Sequence, residues 1–270
     1  MTTFISLLDI YKWSLPASVF MAACLCLIGA QWTAREKSAQ IFVLGQGSSL
    51  GIVIGLILNV VLGSDFHWLS LVGGLTVGWI TLILSDMVVQ RQPDRNHIYL
   101  TLFVFFLSLT YLISSLTPSL ESHMAAAYFG DLAVMSNGAA ELGLLAAVLF
   151  GGFLLWAWRP LTKASFELVN QSSIHRDYKN RFFDVGTLLL TTVAIQSMGY
   201  LFTMGSLFIA TSFASQRSRN LRSYTQRILL ISSVGTALGF VVSLLSTNLP
   251  TVPCVLMGQL LIGCLSYIKK

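Results

Sequence analysis

Few residues in this chain have types and spacings suited to chemistry. The four cysteines, Cys24, Cys26, Cys254 and Cys264, all lie inside apolar runs. Cys24 and Cys26 are two positions apart, which on a helix sends them to nearly opposite faces. They cannot clamp one metal and read as small packing residues. The four histidines, His67, His97, His123 and His175, sit in polar stretches or at their edges. No His-Glu-x-x-His is present to build a zinc-protease site, and no Ser/His/Asp set can be assembled. None of the six lysines follows a glycine, so the chain has no P-loop with which to hydrolyse ATP. Gly45-Gln46-Gly47 opens like a dinucleotide fingerprint, but Leu50 stands where the third glycine belongs. These absences argue against an enzyme and imply no cofactor.

The elements that must position such residues are membrane helices. Of 270 residues, 55% are hydrophobic and 10% charged, against about 25% charged in a soluble domain. A spanning helix needs about 20 mostly apolar residues. Runs at 15–33, 41–62, 67–88, 98–117, 139–158, 228–248 and 251–268 qualify. The first reads as a retained helix rather than a signal peptide, because Asp9 and Lys12 precede it and Gln31-Trp32-Thr33 is a poor cleavage site. The stretch 185–215 holds 31 residues without a charge. One straight helix of that length would measure roughly 46 Å, about half as much again as the hydrocarbon core. Interrupted by Gly199 and Gly205, it reads as a helix of about 184–200, a break, and a returning helix of about 203–215.

The basic residues test that break. With it, 15 of the 16 Lys and Arg residues fall on one side and only Lys12 on the other. Without it, the cluster from Arg217 to Arg227 changes sides. Cytoplasmic loops are enriched in Lys and Arg, so the basic side is expected to be cytoplasmic, with the N-terminus outside and the C-terminus inside. The net charge of +5 therefore reports topology rather than nucleic-acid binding. The expected fold is all-α: a polytopic transmembrane bundle of eight to nine segments with one broken helix, forming a single domain over 1–270. Asp86 and Asp184 fall near the basic ends of their spans and Glu141 near the outer end of its own. Ion-coupled transporters usually carry a mid-membrane carboxylate, so this arrangement favours transport powered by another subunit. On the outer side Asp65, His67, Glu121, His123 and Asp131 are the groups able to attract a cation. Asp65, His67, His123 and Asp131 are the candidate metal residues. The longest polar loop, 159–183, lies on the basic side, and in the external stretch 118–138 the latter part, Met124 to Ser136, is apolar enough to fold back on the bundle. Glycines at four-residue spacing, Gly47/Gly51/Gly55, Gly74/Gly78 and Gly235/Gly239, mark faces where backbones approach closely.

Three segments carry a family resemblance. Met198-Gly199-Tyr200-Leu201-Phe202 is followed by Ser206-Leu207-Phe208-Ile209-Ala210-Thr211-Ser212-Phe213-Ala214 and then by the basic loop. Tyr128-Phe129-Gly130-Asp131-Leu132-Ala133-Val134 and Ser165-Phe166-Glu167-Leu168 precede them. In order and spacing these resemble the permease subunits of zinc, manganese and chelated-iron ABC importers. The resemblance implies a permease working as a homodimer with a cytoplasmic ATP-binding subunit and an extracytoplasmic solute-binding protein. It implies a place in a cell membrane, the bacterial inner membrane. It places ATPase coupling on Phe166 and Glu167 within 159–183, and a transport pathway past Gln46, Gly199 and Ser206. Two departures stand out. The family's proline is Ala210 here, which leaves Gly205 as the expected source of the kink. The family's acid and histidine on the second helix are replaced by Phe42 and Gln46, and an amide is a poor zinc ligand. The competing readings are a secondary transporter without an ATPase, for which no internal repeat is evident, and a non-transporting membrane scaffold.

Overall fold

The computed structural model describes residues 11–62, 68–89, 95–115, 128–130, 132, 135–170, 178–216, 218, 220–245 and 249–268. These form nine helices: α1 (Ser14–Ala34), α2 (Ser38–Leu62), α3 (Trp68–Val89), α4 (Arg95–Ser115), α5 (Asn137–Asn170), α6 (Tyr178–Met198), α7 (Tyr200–Ser215), α8 (Leu221–Leu245) and α9 (Thr251–Ile268). Six are long and apolar enough to cross a membrane, and three shorter apolar helices cover Phe182–Met198, Tyr200–Ser215 and Thr251–Ser266. The chain is thus a polytopic α-helical membrane bundle.

Local chemistry sets several ends. Asn220 caps α8 by accepting the Ser223 N–H at 2.9 Å, and Ser136 caps α5 by accepting the Ala139 N–H at 3.3 Å. The end of α1 is a Schellman turn. Glu36 N–H donates to the Thr33 carbonyl and Lys37 N–H to the Trp32 carbonyl, both at 3.1 Å. Glu36 takes the left-handed position at φ +57°, which an L-residue adopts only at a cost of about 1–2 kcal/mol. That turn reverses the chain in three residues and leaves Arg35 pointing inward, 4% exposed.

The core is built around α1. Met21, Leu25, Ile28 and Trp32 are almost completely enclosed, since α5, α7 and α8 pack around this helix. Helix α2 packs mainly on α3 and α4. There a Cβ on Gly51 would lie 2.1 Å from the Gly73 carbonyl oxygen, so the two backbones meet directly. The α8–α9 pair repeats this at Gly239, whose Cβ would lie 2.3 Å from the Cys254 carbonyl oxygen. Lipid supplies no hydrophobic drive between helices, so such close backbone packing and interhelical hydrogen bonds hold the bundle. The polar face of α6 is an example: Thr192 donates to Ser48 at 3.3 Å and Gln196 to Ser70 at 2.8 Å.

The break in 185–215 is present. Helix α6 stops at Met198, Gly199 adopts φ +94°, and α7 starts at Tyr200. Tyr200 meets Gly45 on α2, and eight residues later Phe208 stacks on Phe42 at 4.8 Å. As α7 advances α2 recedes, so α7 returns toward the end from which α6 came. Gly205 does not supply the kink. It lies inside α7, where its missing side chain leaves room for Leu256. A second difference concerns 159–183. Instead of a loop beginning at Arg159, α5 runs through Pro160 to Asn170. Leu161 and Ser165 are buried on that extension, and their contacts carry the helix past the proline.

Candidate functional site

Two polar regions stand out among the described residues, one at the helix break and one at the end of the bundle where α1, α3 and α5 finish and α2 and α6 begin.

At the break, Gly199 and Gly130 touch backbone to backbone. A Cβ on Gly199 would lie 2.5 Å from Gly130 Cα, and one on Gly130 would lie 1.9 Å from the Met198 carbonyl oxygen. Both have positive φ, +94° and +68°, so only glycine fits either place. The contact inserts the short segment around Gly130 into the bundle, and Leu132 N–H secures it by donating to Thr251 Oγ1 on α9 at 2.9 Å. The described residues of this stretch thereby fold back on the helices, as the apolar character of 124–136 predicts. It brings Tyr128 to Gln46, which is fully buried on α2. The Gln46 amide nitrogen donates to the Tyr128 hydroxyl and to Thr110 Oγ1 of α4 at 3.4 Å. Tyr200 closes the cluster, its ring 5.8 Å from that of Tyr128. The Gln46 carbonyl oxygen and the Tyr200 hydroxyl are both buried without a partner among the described residues. Among the described residues the site therefore offers neutral oxygens and no carboxylate or imidazole. It can hydrogen-bond a polar or hydrated cargo, whereas tight zinc capture calls for His, Cys or carboxylate ligands.

Of the sequence-predicted pathway residues, Gln46 and Gly199 thus converge, through Tyr128 and Tyr200. Ser206 lies elsewhere, buried between α7, α8 and α9, where Gln259 donates to it at 3.2 Å and to Thr236 at 2.9 Å. The candidates Asp65, His67, His123 and Asp131 fall outside the described residues. Among the described residues no three His, Cys, Asp or Glu side chains group to hold a metal ion. Cys24 and Cys26 are buried, and Cys24 donates its S–H to the Ala147 carbonyl of α5 at 2.9 Å.

At the other region, Phe166 is 70% exposed at the end of α5. Glu167 is exposed beside it and forms an i,i+4 pair with Lys163 at 3.8 Å. One turn inward lies a buried network that sequence reading missed. Arg35 donates through Nε to Ser165 Oγ at 2.9 Å. Its Nη1 faces Asp184 of α6 at 3.5 Å, and its guanidinium lies 4.4 Å over the Phe183 ring. Ser165 in turn donates to Gln31 at 2.8 Å, and Gln31 donates to Thr162 at 3.1 Å. Burial lowers the Arg35 pKa, and the Asp184 charge opposes that. Lys37 and Gln40 extend the region to α3, reaching Asp86 at 3.7 and 2.8 Å. Single residues gave no signal for this network, because its partners lie 130 and 149 positions apart.

Comparison with known proteins agrees with this architecture. The chain has the fold of PsaBC from Streptococcus pneumoniae, solved in complex with Fab, with a TM-score of 0.77 at 14% identity over 99% of this chain and 95% of that one. It also has the fold of an inward-facing structure assigned to the metal-chelate type of ABC transporter, with a TM-score of 0.71 at 18% identity over 97% and 88% of the two chains. No curated protein matches it. The profile of the ABC 3 transport family matches residues 8–270. Nearly the whole chain is covered, and this bundle without a P-loop belongs to the ABC 3 transport family as a membrane permease with no ATPase motif of its own.

Proposed function

We propose that this permease imports a divalent metal ion (zinc, manganese or iron) using energy from a separate ATP-binding subunit. Two copies form the pathway, and an extracytoplasmic solute-binding protein delivers the cargo. The family match over residues 8–270 carries the reading, and the metal-chelate description of one structural neighbour supports the cargo class. ATP-dependent uptake of zinc, manganese and iron(II) into proteoliposomes that hold the permease with its ATP-binding subunit tests it. Uptake of none of them overturns the metal assignment.

The ATPase docks where Phe166 and Glu167 stand exposed, on the side that carries nearly all the bases. That side is cytoplasmic by the distribution of Lys and Arg. Single cysteines at Ser218 and Ser266, in a background without native cysteine, are expected to resist an impermeant thiol reagent in intact cells. Labelling at either position from outside would invert the orientation.

Among the described residues the cluster around Gln46 has no strong metal ligand, so capture of a bare ion falls to the candidates Asp65, His67, His123 and Asp131. Replacing His67 and His123 together by alanine is expected to lower uptake at unchanged abundance in the membrane. Unchanged uptake of all three metals would remove both histidines from the pathway.

A further inference from the structure

We infer that Arg35 is a positioning residue that passes movement of the ATPase-docking end of α5 to α1 and α6. The inference rests on the docking reading above. Four observations place Arg35 at this joint. It is buried at the end of α1, and a Schellman turn that forces Glu36 to φ +57° holds it there. Its guanidinium reaches two other helices at once, α5 through Ser165 at 2.9 Å and α6 through Asp184 at 3.5 Å and the Phe183 ring at 4.4 Å. Ser165 is adjacent to the exposed Phe166, and its hydroxyl also donates back to Gln31 on α1 at 2.8 Å. Finally, Arg35 Nη2 is buried with no partner among the described residues. An unmade hydrogen bond in a buried charge leaves a donor for which a second arrangement can supply an acceptor.

The geometry gives α5 a rigid linkage to the bundle. Beyond Pro160 the helix has lost one backbone hydrogen bond, so its last turns can tilt about that point. Besides the buried Leu161, the hydrogen-bonding side chains that tie the tilting part to the bundle among the described residues are Thr162 and Ser165, and both meet α1 through Gln31 and Arg35. A displacement of Phe166 must therefore either break those bonds or carry the end of α1 with it. Arg35 also holds the start of α6, whose far end is the break at Gly199 and the Gln46 cluster. The chain of contacts from the docking surface to the buried polar site is thus continuous through two helices.

The test reads hydrogen–deuterium exchange and ATPase affinity on the permease in nanodiscs with its ATPase and a non-hydrolysable ATP analogue, and reads uptake per ATP hydrolysed in proteoliposomes supplied with ATP. Arg35→Lys keeps a charge opposite Asp184 but lacks the planar fork that reaches Ser165 at the same time. Gln31→Met removes the second tie at similar volume. Both changes lie at the end of α1 and leave the exposed face of α5 untouched. In wild type, docking is expected to alter exchange in 159–170 and in 31–40. In either variant ATPase affinity is expected to stay at the wild-type value, while the change is confined to 159–170. Uptake per ATP is expected to fall by about 10-fold, within the range that single substitutions in a coupling network produce. Propagation to 31–40 in both variants as in wild type, or loss of ATPase affinity in them, overturns the inference and leaves the docking reading intact. Failure of the wild type itself to bind the ATPase overturns the docking reading, and this one with it.

Discussion

Gly199→Ala is expected to remove most stably folded permease from the membrane, and the fraction that folds is expected to transport at less than a tenth of the wild-type rate. Two independent effects act at this position. The conformation at φ +94° and ψ 157° is open essentially to glycine alone and costs an L-residue of order 1–3 kcal/mol. The new methyl would also lie 2.5 Å from Gly130 backbone atoms, and backbone cannot swing aside as the tip of a side chain can. The clash either drives the Gly130 segment out of the bundle, carrying Tyr128 from Gln46, or straightens the junction of α6 and α7. Gly130→Ala meets the Met198 carbonyl at 1.9 Å and is expected to behave alike. Gly152→Ala is the control, because nothing lies within 4 Å of its Cβ position in α5. Gaining helix propensity of about 1 kcal/mol, it is expected to be neutral or slightly stabilising. Size-exclusion profiles of detergent extracts and uptake per permease distinguish these outcomes. A Gly199→Ala protein with wild-type yield and uptake would mean that the backbone contact does not set the break.

Some of this architecture is legible in the sequence, and the legible part has a common physical origin. A run of 31 uncharged residues exceeds the bilayer, and bases on both flanks must stay on one side, so the returning α7 follows from two long-range constraints. The close glycine faces of α2 and α8 are legible as well, because only small residues allow backbone contact. What escapes is what tertiary contact alone decides. Pro160 with the charged residues around it reads as a helix end, yet α5 continues because Leu161 and Ser165 find partners on neighbouring helices. Gly205 reads as a breaker but serves to admit Leu256. Gln46 is visible as a departure from the family pattern. Its partners Thr110 and Tyr128, and Tyr200 packed beside them, are not, since aromatic and hydroxyl side chains in apolar runs look like ordinary packing. Arg35 looks like one more topological base, and only the fold shows it turned inward to Ser165 and Asp184.

The second large effect concerns docking. In the proposed reading a permease without a P-loop receives work through a surface on its cytoplasmic side, and Phe166, on the base-rich side, is a large apolar side chain left 70% exposed. It lies beyond Pro160 on the polar extension of α5, with Lys163 and Glu167 on the same side of the helix. An aromatic ring flanked by charges suits a docking centre, where the ring fills a pocket and the charges fix orientation. Truncating such a ring removes roughly 2–4 kcal/mol, which is about 30-fold or more in affinity at 1.4 kcal/mol per tenfold. The exposed Lys163–Glu167 pair contributes little by itself, so Glu167→Gln is expected to weaken association far less. A ring resting in the lipid interface would give a different result, with Phe166→Ala leaving association unchanged.

That difference makes one titration the most direct test of the account. Purified wild-type and Phe166→Ala permease in nanodiscs are titrated with the ATP-binding subunit of the same organism's transporter, and bound ATPase is measured at each concentration. Saturable binding to wild type is expected, with an affinity at least about 30-fold lower for Phe166→Ala. Equal affinity for the two would move the docking site off the end of α5, and no binding to either would contradict a permease driven by a separate ATPase.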